Sequence, residues 1–74
     1  MSGPRPIKKR TTRLGQILTD LRVEARKTLS DVESEARVSA TLISGYELGT
    51  ISPRLETLTR VLDVYGYEVE ILPK

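Results

Sequence analysis

The sequence predicts an all-α domain of four short helices, with a basic N-terminal arm before them and one C-terminal β-strand after them. Three observations predict it. Between residues 12 and 66 apolar residues recur at three- and four-residue steps. Cap-forming and chain-reversing residues cut that pattern into four pieces. Near the C-terminus "YEVEIL" alternates with a period of two. A chain of 74 residues, 38% of them hydrophobic, supports one small core with little spare stability.

The arm is the stretch "MSGPRPIKKRTT", which has two prolines, a glycine and no helical period. Residues 1–11 therefore read as flexible chain. The net charge of +2 hides a segregation. Residues 1–13 carry Arg5, Lys8, Lys9, Arg10 and Arg13 with no acid, whereas the rest carries seven bases and ten acids, a net of −3. A basic arm on a mildly acidic body suits a polyanionic partner, and a plain solubilising tail is the simpler alternative.

The first helix begins after Thr12, with Thr11 or Thr12 as its cap, and turns Leu14, Ile17, Leu18, Leu21 and Ala25 inward. It is expected to end near Arg26 or Lys27, whose charges suit a helix C-terminus. Thr28 and Asp31 have the spacing of a capping box and open a short second helix with Leu29, Val32 and Ala36 inside. That helix ends at Arg37 and Val38. Ser39 then caps a third helix, which Gly49 stops. Ser52 is the expected cap of the fourth, with Pro53 at its first position, Leu55, Leu58, Leu62 and Tyr65 on its inner face and Gly66 at its end. The body is thus residues 12–66. Residues 67–74 form the strand, with Tyr67, Val69 and Ile71 on one side and Glu68 and Glu70 on the other.

Composition excludes several functions. The chain has no cysteine and no histidine, which removes disulfides and the usual zinc ligands. There is no phosphate-loop pattern and no recognisable catalytic spacing, so neither an enzyme nor a cofactor is expected. No apolar run approaches the roughly 20 residues of a membrane span, and the basic N-terminus lacks the apolar segment of a secretory signal. The expected location is the cytoplasm.

The third helix carries the functional signal. In "SATLISGYELG" Leu42, Ile43 and Tyr46 fall on one side. The other side, Ser39, Ala40, Thr41, Ser44 and Gly45, has no charge and only small side chains, unlike the Lys- and Glu-rich surface of a water-facing helix. Two short helices with a two- or three-residue turn between them make a helix-turn-helix unit. A second helix of that unit enters the major groove on small side chains, where hydroxyl groups bond base edges and methyl groups meet thymine. An ordinary surface helix with a small polar face is the competing explanation.

The stretch from Leu14 to about Gly66 resembles the Cro/phage-repressor (XRE-type) helix-turn-helix family. The matches are Arg22 in the first helix, Thr28, Asp31 and Val32 at the start of the second, Val38 and Ser39 at the start of the third, Glu47 and Gly49 at its end, and Pro53, Leu55 and Leu58 opening the fourth. The resemblance implies a lambda-repressor-like fold, an ion pair between Arg22 and Glu47, and base reading at Ser39, Ala40, Thr41, Ser44 and Gly45. It also implies backbone contacts from Thr28, and it puts Arg37, Thr50, Ser52 and Arg54 near the DNA backbone. Lys8, Lys9, Arg10 and Arg13 could follow a groove as a basic arm does.

Three positions depart from the family. Glu33 stands where it usually has Ala, and Arg37 where it usually has a turn Gly. The two are correctly spaced for a helical ion pair, and a slightly longer second helix with a reshaped turn would accommodate them. Arg26 likewise replaces the common terminal Gly of the first helix. A lone strand needs a partner, and the simplest is the same strand of a second subunit, through Tyr67, Val69 and Ile71, as in antitoxin members of the family. The alternative is a tail folded on its own domain. The partners expected are double-stranded DNA, a second copy of the chain, and a toxin or other protein. Two functions stand: a repressor that binds a palindromic site as a homodimer, and a protein-interaction module with weak DNA binding.

Overall fold

A computed structural model of the chain describes residues 5–6 and 13–70. Its elements are β1 (Arg5–Pro6), α1 (Leu14–Glu24), α2 (Leu29–Ala36), α3 (Ala40–Leu48), α4 (Leu55–Val64) and β2 (Tyr67–Glu68). The four helices enclose one core. Its fully buried side chains are Leu18, Leu21, Val32, Ile43, Val61 and Leu62, with Ile17, Ala36, Val38, Tyr46 and Tyr65 completing it. Helix α1 packs on α3, and α2 packs on both α3 and α4.

Local chemistry sets most element ends. The N-cap of α1 is Arg13, whose carbonyl accepts from the Gln16 and Ile17 amides; Thr11 and Thr12, the expected caps, lie outside the described residues. The helix stops at Glu24, earlier than expected, because Arg26 takes a left-handed φ of 58° and turns the chain away. The capping box of α2 is present in both directions. The Asp31 amide donates to Thr28 Oγ1 (3.0 Å), and the Thr28 amide donates to Asp31 Oδ2 (2.9 Å). Those bonds to Thr28, backbone first, hold the Asp31 carboxyl below its ordinary value.

Helix α2 is not lengthened. It ends at Ala36, and Arg37 is its left-handed C-cap with φ 59°. Glu33 and Arg37 form no side-chain ion pair; they are joined through the backbone, where the Arg37 amide donates to the Glu33 carbonyl (2.9 Å). Ser39 caps α3 by accepting from the Thr41 amide, and Gly49 ends it at φ 81°. Helix α4 starts later than expected. Arg54 is its N-cap in an extended conformation, so Ser52 and Pro53 belong to the loop. Its inner face is accordingly Leu58, Val61, Leu62 and Tyr65, while Leu55 is 54% exposed.

The C-terminal strand is not alone. Strand β2 pairs in parallel with β1, Arg5 opposite Tyr67 and Pro6 opposite Glu68. Residues 1–11, read as a wholly flexible arm, therefore contain a paired segment. Tyr67 and Val69 pack against the core of their own domain, as the alternative of a folded-back tail requires. Alternation of half-buried Tyr67 and Val69 with exposed Glu68 and Glu70 follows the period-two pattern, although the ladder itself covers only Tyr67–Glu68. Ile71 lies outside the described residues.

Candidate nucleic-acid interface

The candidate interface is built on α2, the turn at Arg37–Val38–Ser39, and α3. Ile43 and Tyr46 anchor α3 in the core, which leaves its opposite side outward. Thr41 is exposed, Ala40 and Ser44 are half-buried, and Ser39 is exposed while its hydroxyl caps the helix. The Thr41 and Ser44 hydroxyls make no hydrogen bond within the described residues and remain available to a partner.

Two sequence assignments on α3 change. Gly45 is buried, and a Cβ there would come within 2.5 Å of Ile51 Cδ1, so this position seats Ile51 rather than reading a base. Leu42, placed on the inner side with Ile43 and Tyr46, is 39% exposed and belongs to the outer surface. Leu48 and Ile51 extend that apolar character beyond the end of α3.

The flanking residues are outward. Thr28, Arg37, Thr50, Ser52, Arg54 and Arg13 are all exposed. The Thr50 hydroxyl also donates to the Gly45 carbonyl (3.4 Å). Lys8, Lys9 and Arg10 lie outside the described residues. The outer side of α2 is acidic, with exposed Asp31, Glu33 and Glu35, and Lys27 pairs with Glu35 at 3.0 Å.

The orientation of α3 is fixed by Arg22 and Glu47, the pair implied by the resemblance. Arg22 Nε donates to Glu47 Oε2 (2.8 Å) and Nη2 to Oε1 (3.1 Å), a two-pronged contact. The bond to Glu47 raises the already high pKa of Arg22. Arg22 Nη1 also donates to the Lys27 carbonyl (3.0 Å), and Thr19 Oγ1 donates to Glu47 Oε1 (3.2 Å). Sequence reasoning missed Gly15. A Cβ there would collide with the Glu47 carbonyl and lie 2.8 Å from the Tyr46 carbonyl, so only glycine lets α1 cross α3 this closely. The one sign of it in the sequence is a glycine in the first turn of a helix, where it weakens helix formation.

Four helices, a three-residue turn and an anchored third helix with an outward face make up the geometry of a helix-turn-helix domain. A family model described as a helix-turn-helix domain matches residues 13–70. The chain belongs to the helix-turn-helix domain family. This agrees with the resemblance to Cro/phage-repressor proteins read from the sequence and makes the domain one of a DNA-binding class that is generally without catalytic activity. Neither curated proteins nor solved structures gave a match. Among the described residues of this helix-turn-helix domain, no group of histidine, cysteine and carboxylate side chains is placed to hold a metal ion, and no helix is long and apolar enough to cross a membrane.

Proposed function

We propose that the chain is a sequence-specific transcriptional repressor that binds a palindromic operator as a homodimer, in the setting of a phage regulator or an antitoxin that represses its own gene. The observation that carries this is the outward surface of α3. Thr41 and Ser44 offer hydroxyl groups and Ala40 a methyl group, free of charge, on a helix whose other side is locked into the core. Thr28, Arg37, Thr50, Ser52 and Arg54 supply backbone contacts around it, with Arg13 and the basic residues Lys8, Lys9 and Arg10 adding sequence-independent attraction. A two-fold dimer would present two such helices to a palindrome, and β2 has a second edge, away from β1, for a second subunit. A cytoplasmic, nucleoid-associated location goes with this function.

A protein-interaction module with weak DNA binding is the second reading. Exposed Leu42, Leu48, Ile51 and Leu55 favour it, as does the acidic outer side of α2. Its partner would be a toxin or another protein.

Selection of bound duplexes from a random pool tests the proposal. A repressor enriches a palindrome, and its affinity falls steeply with salt while a preference over random DNA persists. On the selected site Thr41→Ala should cost about 1–3 kcal/mol of discrimination at one base pair per half-site, with the melting temperature unchanged. A pool that stays random after repeated rounds excludes sequence-specific repression.

A further inference from the structure

Four described residues have left-handed backbone. Two are glycines, Gly49 and Gly66, at the ends of α3 and α4. The other two are Arg26 (φ 58°) and Arg37 (φ 59°), which stand before and after α2. Glycine is the unstrained residue at such a position, and a side chain there raises the energy of the folded state. This chain uses glycine at two of the four and arginine at the two that flank α2, the first helix of the helix-turn-helix unit.

The fold itself gains nothing visible from these side chains. Both arginines are exposed. Only their backbone amides are bonded, Arg26 to the Val23 carbonyl (3.0 Å) and Arg37 to the Glu33 carbonyl (2.9 Å). Their guanidinium groups have no partner among the described residues, although exposed Asp31, Glu33 and Glu35 lie on the helix between them. The other two cations of this region are engaged, Arg22 with Glu47 and Lys27 with Glu35. Next to Arg26, Arg22 Nη1 donates to the Lys27 carbonyl (3.0 Å), a bond that holds the turn in which Arg26 sits. Strain kept in place by its surroundings and unused by the fold is characteristic of functional positions.

We propose that Arg26 and Arg37 are phosphate contacts, their charge placed at two strained positions because a DNA backbone passes both ends of α2. The inference rests on the DNA-binding function proposed above. It adds Arg26 to the contact set and gives Arg37 a reason to be arginine. Helix α2 is about 12 Å long at 1.5 Å per residue, so the two guanidinium groups reach different phosphates.

The test uses the full chain with Arg26→Gly, Arg37→Gly, Arg26→Gln and Arg37→Gln, a short random-sequence duplex, a salt titration and thermal melts. Each of the four substitutions should weaken binding several-fold at low salt and make the log–log salt slope shallower by about 0.9, one phosphate contact's worth. The Gly variants should melt at or above the wild-type temperature, and the Gln variants, which keep the strain, below their Gly counterparts. Wild-type slopes in all four variants, with binding intact, overturn the phosphate assignment alone. Gly variants that melt lower than wild type overturn the claim that the fold gains nothing from these side chains. A wild-type chain that binds no duplex overturns the DNA-binding function and this inference together.

Discussion

The guanidinium of Arg22 reaches the carboxylate of Glu47 on α3 and the carbonyl of Lys27 in the α1–α2 turn, so one side chain joins three parts of the domain. The Arg22 and Glu47 side chains are only 20% and 9% exposed. Removing either strands a partly desolvated charge, and Arg22→Ala or Glu47→Ala should each cost about 3 kcal/mol in denaturant unfolding. The double variant should lose less than the two losses added, which a double-mutant cycle measures. Tyr65 is the opposite case. It is buried, and its hydroxyl has no hydrogen-bond partner among the described residues. Burial first, then the nearby Glu47, pushes its pKa up to about 12. The unfolded phenol titrates near 10. Its contribution to folding is therefore complete below about pH 10 and is lost as the pH rises through about 12. Tyr65→Phe should raise stability by about 1 kcal/mol at neutral pH and remove this share of the alkaline loss, read by denaturant titrations at both pH values.

At the scale of elements, the decisive contact is the crossing of α1 and α3 at Gly15. The atoms facing it are backbone carbonyls of Tyr46 and Glu47, which cannot rotate away as a side chain can. Gly15→Ala should thus destabilise the domain by about 1–3 kcal/mol despite the better helix propensity of alanine, and should tilt α3 enough to weaken DNA binding. Gly45→Ala meets the flexible Ile51 side chain instead and should be the milder of the two in the same melts. What was legible in the sequence follows this division. The Thr28–Asp31 box, the Ser39 cap and the stops at Gly49 and Gly66 depend on neighbours a few residues apart, and all were readable. The left-handed turns at Arg26 and Arg37 were legible only as places where the family usually has Gly, since arginine itself carries no sign of positive φ. The Gly15 crossing depends on residues about thirty positions away, beyond any local pattern. The start of α4 was misread by two residues because Ser52 and Pro53 satisfy the cap rule without being used for it. On the candidate interface, hydroxyl chemistry at Thr41 and Ser44 was legible, whereas the burial of Gly45 depended on where the Ile51 loop returns.

For the whole molecule, the pairing of β1 with β2 joins the two ends of the chain. Residues 1–11 thereby have two parts to play in one segment, basic charge and the strand partner of Tyr67–Glu68. Deleting them should weaken binding to all duplexes alike and make the salt slope shallower, since phosphate contacts carry little sequence information. The same deletion bares the β2 edge facing β1, and light scattering should show more self-association than in the full chain. Equal affinity, slope and association state before and after deletion would make the segment a bystander.

The side chains that hold α3 in place and those it turns outward are different residues of the same nine. Ile43, Tyr46 and Glu47 belong to the frame; Thr41 and Ser44 support nothing within it. If Thr41 and Ser44 read DNA as proposed, mutation can rewrite the address this domain recognises without renegotiating its architecture. A lineage of such domains could drift from one operator to another through intermediates that all stay folded, and a laboratory library varied at Thr41 and Ser44 would begin from the same freedom.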